Sequence, residues 1–294
     1  MSSITFAPAA EATRCPICGA ADRPMRKRGY YVKCTACKVA FRPQQEQVAE
    51  PGEYWETEFW TDEEITKRKN RAPVFREAFR VLHHYRPAGG SVLDIGCGIG
   101  TFLAICREKG WDVTGVEPSS IACDVARREY GLELVNDLFT AELFQGRKFD
   151  AIFAAQVLHH LPDPVGFLQD ANRVLTEGGI FMLRTPNLIA LEPSLYLQRL
   201  LGRAQGFFCG PALYVFHPYT LVHLFRQLGY RDVSFVNSRP YLETPEAPAS
   251  VGANLRRLSI MALKLATYAA VEGVHRLSAG RAVVGPSIFV VARK

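Results

Sequence analysis

Three glycines at alternate positions mark the chain's clearest candidate site for ligand binding. Gly96, Gly98 and Gly100 follow a short apolar run at 92–95, and a helix is expected over 101–109. Residues without a side chain let a ligand approach the backbone closely. The first N–H groups of a helix have no partner within it, so they attract electronegative groups. The pattern predicts a nucleotide-type site between a buried parallel strand and the helix that follows.

Acidic residues sharpen this prediction. Asp94 lies inside the first strand, and Glu117 closes the next predicted strand, about twenty residues beyond the glycine turn. A carboxylate at that strand end can accept both hydroxyls of an unphosphorylated ribose. Two common phosphate-binding patterns are absent, because Thr101 interrupts G-x-G-x-x-G and no Gly-Lys-Ser/Thr tripeptide follows the glycines.

Two cysteine pairs near the N-terminus form a second candidate site. Cys15 and Cys18 make one C-x-x-C motif, and Cys34 and Cys37 make another after fifteen intervening residues. Four thiolates at this spacing are typical of a tetrahedral structural zinc site without an open position for catalysis. The alternative, a pair of redox motifs, would place each motif at the start of a helix, which the surrounding residues do not favour. The other cysteines are expected to be buried thiols.

Alternating strand and helix patterns from residue 91 onward place these residues on an α/β fold. Seven strands are expected, at 91–95, 112–116, 132–135, 149–154, 179–184, 232–238 and 287–293. We expect a zinc module over 1–45, a linker and docking helix over 46–90, and the main domain over 91–294. An apolar run long enough to span a membrane and a secretory signal are both missing, so a cytoplasmic location is expected.

The strand ending D-I-G-C-G-I-G at 94–100, together with G-V-E-P-S at 115–119, resembles the first two motifs of class I S-adenosylmethionine-dependent methyltransferases. The resemblance implies a Rossmann-like, seven-stranded, mostly parallel sheet whose last strand is antiparallel, with helices on both faces. It also implies a set of cofactor-binding residues: Asp94, Gly96, Cys97, Gly98, Gly100, Glu117, Asp137 and Gln156. Within this set Glu117 would meet the ribose, Asp137 the adenine amino group and Gln156 the methionine end.

The segment F-D-A-I-F-A-A-Q-V-L-H-H-L-P-D-P at 149–164 resembles the family's fourth motif, with His160 on its common histidine. Methyl transfer requires mainly in-line alignment of the acceptor. A neutral histidine could remove a proton from the acceptor near pH 7, which makes His160 the candidate base. The alternative is a structural histidine bonded to a backbone carbonyl.

The cysteine module resembles the zinc ribbons that precede the methyltransferase domain in some bacterial sugar C-methyltransferases and in a ribosomal RNA guanine methyltransferase. Two insertions are expected in the main domain, a lid-like one at 188–217 and an amphipathic helical one at 250–280. An apolar stripe on 254–277 with basic flanks could contact an anionic membrane, its own domain or a dimer partner.

The acceptor is predicted only by class. A small-molecule, glycan or lipid-linked acceptor is favoured. Ribosomal or transfer RNA is the alternative, since zinc ribbons and a net charge of +6 suit RNA. A non-catalytic S-adenosylmethionine-binding protein is a further alternative. The sequence leaves the methylated atom and the oligomeric state open.

Overall fold

A six-stranded sheet forms the centre of the molecule in the computed structural model. The described residues are 14–21, 26–28, 31–42, 59–192, 212–238, 282–294 and, within a helix, 262, 266, 269–275 and 277–278. The central strands are β4 (Ser91–Ile95), β5 (Asp112–Val116), β6 (Phe149–Ala155), β7 (Leu175–Pro186), β9 (Val233–Asn237) and β10 (Ser287–Arg293). Their order in the sheet is β5-β4-β6-β7-β10-β9.

Most strands of this sheet run parallel, as expected. β4 pairs in parallel with β5 and β6, and β6 pairs in parallel with β7, whereas β10 is antiparallel to both β7 and β9. This confirms the Rossmann-like α/β class with an antiparallel last strand. The seventh strand expected at 132–135 is reduced to one bridge between Val135 and Val116. Leu132 is buried there but Val135 is 36% exposed, so this edge lacks the apolar burial that would stabilise a longer strand.

The α-helices with both ends among the described residues are α1 (Asp62–Lys69), α2 (Ala72–Tyr85), α3 (Thr101–Glu108), α4 (Ser120–Tyr130), α5 (Pro164–Val174) and α6 (Pro218–Gln227). The docking helix expected within 46–90 is two helices, because Asn70 ends α1 and α2 restarts with Pro73 in its first turn. Apolar side chains of α2, α3 and α4 pack on one face of the sheet, and those of α5 and α6 pack on the other.

The cysteine module is built into the second face. Its short strands are β1 (Arg26–Arg28), β2 (Tyr31–Lys33) and β3 (Ala40–Phe41), and β8 (Tyr214–Val215) from the main domain completes their sheet. Ala40 pairs with Val215 and Phe41 with Tyr214. The buried cysteines belong to the same hydrophobic cluster as Leu168 and Leu221 of the flanking helices. The expected boundary at residue 45 therefore separates segments that share a core.

The two expected insertions are described only in part. The ends of 188–217 come together, since Leu188 N donates to the carbonyl oxygen of Phe216, while 193–211 lie outside the described residues. Of the expected helix at 254–277, residues 254–261 also lie outside them, and 269–275 are helical, with Leu277 91% exposed. Among the described residues, no helix has the length and apolar character needed to cross a membrane.

Candidate functional site

The glycine turn adopts a conformation that side chains resist. Gly96, Gly98 and Gly100 have φ values of 67°, 54° and 76°, all in the left-handed region. A Cβ on Gly96 would lie 2.6 Å from Cγ2 of Val157, so the loop after β6 packs directly against the turn. The N–H groups of Gly96 and Cys97 both donate to the carbonyl oxygen of Val116, which joins the turn to the end of β5.

Glu117 directly follows β5 and contacts the glycine turn. Its Oε2 accepts from Gly98 N at 2.8 Å, and its Oε1 accepts from Ser119 N at 3.2 Å. The residue is 6% exposed. Burial raises the pKa of this carboxyl, against the opposing effects of the two N–H groups and the charge of Arg68. A carboxylate held by two backbone donors keeps further lone pairs for the hydroxyls of a bound ribose.

Asp94 and Cys97 lie beneath the turn. Asp94 is 2% exposed, and burial, followed by the negative charge of Glu117, raises the pKa of its carboxyl well above the usual range. The Cys97 side chain packs in the core, where its Sγ lies 2.8 Å from a Cβ built on Gly115. Cys97 therefore contributes its backbone to the turn, while its thiol packs in the core.

Asp137 lies at the same edge of the sheet, two residues after the Val135 bridge. The residue is exposed, and its Oδ1 accepts from Leu138 N at 2.7 Å. Its neighbour Asn136 holds the edge together by donating to the carbonyl oxygens of Glu117 and Pro118. Asp137 therefore follows a residue that is bonded to the Glu117 segment, and its own carboxylate is exposed.

The loop after β6 brings the remaining predicted residues to this edge. Gln156 has a φ of 62°, an uncommon value for a residue with a side chain, and its N–H donates to the carbonyl oxygen of Arg184 at 2.8 Å. Such strain is often found at functional sites. The His159 and His160 rings follow, with centroids 4.0 Å apart. Burial, then the charges of His160 and Arg184, lowers the pKa of His159 well below its usual range.

An aromatic residue from outside the sheet covers the glycine turn. Trp60 is 7% exposed and packs with Ile99, Ala122 and Val125. A Cβ on Gly98 would lie 3.0 Å from Cη2 of Trp60. The sequence predicts only that 46–90 links the cysteine module to the main domain and docks on it. Nothing in the spacing relates Trp60 to the turn.

The four predicted metal ligands come together as expected. The sulfur atoms of Cys15, Cys18, Cys34 and Cys37 lie within 4.8 Å of one another, and all four thiols are free. Cys15 Sγ is 3.7 Å from Cys37 Sγ, and Cys18 Sγ is 3.7 Å from Cys34 Sγ. Sulfurs bound at about 2.3 Å to a tetrahedral ion would be roughly 3.8 Å apart. The arrangement therefore fits a four-thiolate metal site.

Hydrogen bonds connect this cluster to the histidine loop. The hydroxyl of Thr220, at the start of α6, donates to the carbonyl oxygen of Cys37 at 2.5 Å. Arg42 N donates to the carbonyl oxygen of Leu213, and Leu213 N donates to that of His159 at 2.8 Å. The segment around β8 thus joins the cysteine module to the loop that carries His160. This link between residues distant in sequence was not predicted.

Much of this chain is similar to known proteins. A family model described as a methyltransferase domain matches residues 67–234. The ubiquinone biosynthesis O-methyltransferase of Pseudomonas aeruginosa (strain UCBPP-PA14) is 32% identical over 142 residues, which cover 42% of this chain and 60% of that protein. The protein of the same name from Actinobacillus pleuropneumoniae is 33% identical over 109 residues, or 34% and 47% of the two chains. The chain therefore spans at most about three fifths of these curated relatives.

Solved structures show the same fold at lower identity. A SAM-dependent methyltransferase from Archaeoglobus fulgidus has a TM-score of 0.52 at 19% identity, covering 80% of this chain and all of that one. Phosphoethanolamine N-methyltransferase 2 of Haemonchus contortus, in complex with S-adenosyl-L-methionine, has a TM-score of 0.55 at 18% identity, covering 87% and 61%. These likenesses support the fold alone. Since the family model matches more than half of its length, this chain belongs to the methyltransferase domain family.

Proposed function

We propose that this protein transfers a methyl group from S-adenosylmethionine to a small-molecule, glycan or lipid-linked acceptor. The observation that carries the proposal is the contact of the Glu117 carboxylate with Gly98 N at the glycine turn. This contact supports a site at the carboxyl edge of a parallel sheet, where Glu117 would accept hydrogen bonds from a ribose. The names of the relatives, which concern ubiquinone biosynthesis, favour a small acceptor.

The bound cofactor would supply an electrophilic methyl group on a sulfonium. The chain must then hold the cofactor, orient the acceptor and exclude water. We assign cofactor binding to the turn glycines, to the Cys97 backbone, to Glu117 and Asp137, and to Gln156 in the adjacent loop. Asp94 would support the turn from below, since it is almost completely buried.

His160 is proposed as the base for an acceptor that must lose a proton. The residue lies in the short 3-10 helix Leu158–His160 directly after β6, on the same side of the sheet as the turn. It is partly exposed, unlike His159, so an acceptor in the cleft could reach it. A histidine that is neutral near pH 7 suits this role.

We further propose that the cysteine cluster holds a structural Zn²⁺. The support is the donor set of four thiols and the 3.7 Å separations between their sulfur atoms. All four ligands come from the protein, so the ion would stabilise the module and take no part in the reaction. The contacts of Thr220 and Leu213 would let it stabilise the His160 side of the cleft as well.

Transfer of labelled methyl groups to fractionated cell extract tests the function. Label in small metabolites, glycan or lipid supports the proposal. Label in RNA would support the alternative in which the basic chain and its cysteine module contact RNA. An absence of label in every fraction, with intact cofactor binding, would favour a non-catalytic S-adenosylmethionine-binding protein.

A further inference from the structure

The indole of Trp60 presents an unused hydrogen-bond donor at the glycine turn. Trp60 is 93% buried, since only 7% of it is exposed, and its Nε1 has no hydrogen-bond partner among the residues that the structure describes. Buried indole N–H groups usually find a partner, because removing a donor from water without replacing its hydrogen bond is costly. The site therefore lacks an acceptor that a ligand could supply.

The ring atoms of Trp60 that contact the turn lie next to this donor. The two indole atoms nearest to a Cβ built on Gly98 are Cη2 at 3.0 Å and Cζ2 at 3.6 Å. Cζ2 is bonded to Cε2, which carries Nε1, so the N–H group follows next along the same ring edge, more than 4 Å from that Cβ position. Gly98 N is itself bonded to Oε2 of Glu117, the group proposed to bind the ribose.

Neighbouring side chains hold the indole in this position. Phe59 packs edge-on against it, with centroids 5.2 Å apart and planes at 88°. The guanidinium carbon of Arg68 lies 5.0 Å from the Phe59 ring centroid and 5.7 Å from that of Trp60. Glu64 Oε1 accepts from Arg68 Nε at 2.7 Å, which anchors the cation to α1. The donor is thus pre-oriented, which reduces the entropy lost on binding.

We propose that the Trp60 N–H group donates a hydrogen bond to a ribose oxygen of bound S-adenosylmethionine, so that the segment before α1 forms one wall of the cofactor site. This inference rests on the proposed function. Trp60 precedes residue 67, where the match to the family model begins, so the family resemblance does not assign it this role. Glu117 would accept from the ribose while Trp60 donates to it.

Binding of S-adenosylhomocysteine and of methylthioadenosine to the full chain tests the proposal by calorimetry. Trp60→Phe keeps an aromatic ring but removes the donor, and Trp111→Phe is the matched control, because Trp111 is buried in a different hydrophobic cluster, beside Gly89. We expect Trp60→Phe to weaken both ligands about fivefold to tenfold and the control to change them less than twofold. Weakening of S-adenosylhomocysteine alone would overturn the ribose assignment, because methylthioadenosine lacks the amino-acid end.

A direct readout is the indole N–H resonance in protein labelled with ¹⁵N-tryptophan. The signal that is missing in Trp60→Phe should move downfield when saturating S-adenosylhomocysteine is added to the wild type. A signal that does not move, or equal affinity of Trp60→Phe and wild type, would overturn the proposal. Failure of the wild-type chain to bind either ligand would instead overturn the proposed function.

Discussion

Replacement of Glu117 by Gln is the most direct test of the cofactor site. The wild-type carboxylate accepts from Gly98 N at 2.8 Å and from Ser119 N at 3.2 Å, one oxygen for each donor. A carboxamide of the same shape has only one acceptor oxygen, and its NH₂ group would face the other backbone donor. The variant therefore keeps the side-chain volume and loses the charge and half of the accepting capacity.

The expected loss follows from these contacts. Hydrogen bonds to charged groups contribute about 1.5–3 kcal/mol each. Two ribose hydroxyls would bond to the wild-type carboxylate, whereas the Gln oxygen could accept one uncharged bond. We therefore expect a loss of about 3 kcal/mol in cofactor binding, or roughly a 150-fold increase in Kd. The folded state should tolerate the change, because removing a buried charge offsets part of the lost hydrogen bonding.

Calorimetric titration with S-adenosylhomocysteine measures the effect. Glu177→Gln is the matched control, since Glu177 lies near the start of β7, away from the carboxyl edge, and its side chain is 82% exposed. The control should bind as the wild type does. An affinity of Glu117→Gln within threefold of wild type, with an unchanged circular dichroism spectrum, would refute the assignment of Glu117 to the ribose.

Three further predictions concern the metal site and the histidine loop. Removal of metal by a chelator should make four additional thiols reactive toward a thiol reagent, because the cysteines at 15, 18, 34 and 37 would lose their bonds to the metal. Unchanged thiol reactivity would contradict the metal site. His159→Gln should flatten the pH dependence of stability. Below pH 6.5 the unfolded wild-type chain binds a proton that the buried, neutral His159 does not, so its free energy of unfolding should fall by about 1.4 kcal/mol per pH unit. Urea denaturation of both proteins at several pH values measures the difference. His160→Gln should lower kcat roughly 10²-fold to 10⁴-fold at unchanged cofactor Kd. The control variant His84→Gln, at an exposed position, should retain full activity. Equal kcat values for His160→Gln and the wild type would exclude His160 as the base.

The parts of the site that could be predicted are encoded in short, continuous stretches. The glycine turn and Glu117 follow from the residue order alone, because the ends of neighbouring parallel strands meet at one edge of a sheet. The cysteine pairs are similarly readable, since each C-x-x-C motif places its two sulfurs close together. The strand predicted at 132–135 is reduced to one bridge, because a short apolar run does not reveal whether an edge position will be covered.

Contacts between distant segments decided the rest. Trp60 packs against Gly98, which lies 38 residues away in the sequence, and Thr220 donates a hydrogen bond to Cys37, which lies 183 residues away. β8 pairs with β3 although the two strands are only two residues long, because each strand contributes one buried residue to each of two hydrophobic clusters that both strands share. The sequence by itself determined the fold class, the glycine turn with its acidic partner and the grouping of the four cysteines, since local spacing governs these. Only the tertiary structure placed the Trp60 donor at the turn and joined the cysteine module to the histidine loop, because packing between remote segments leaves no periodic trace in the chain.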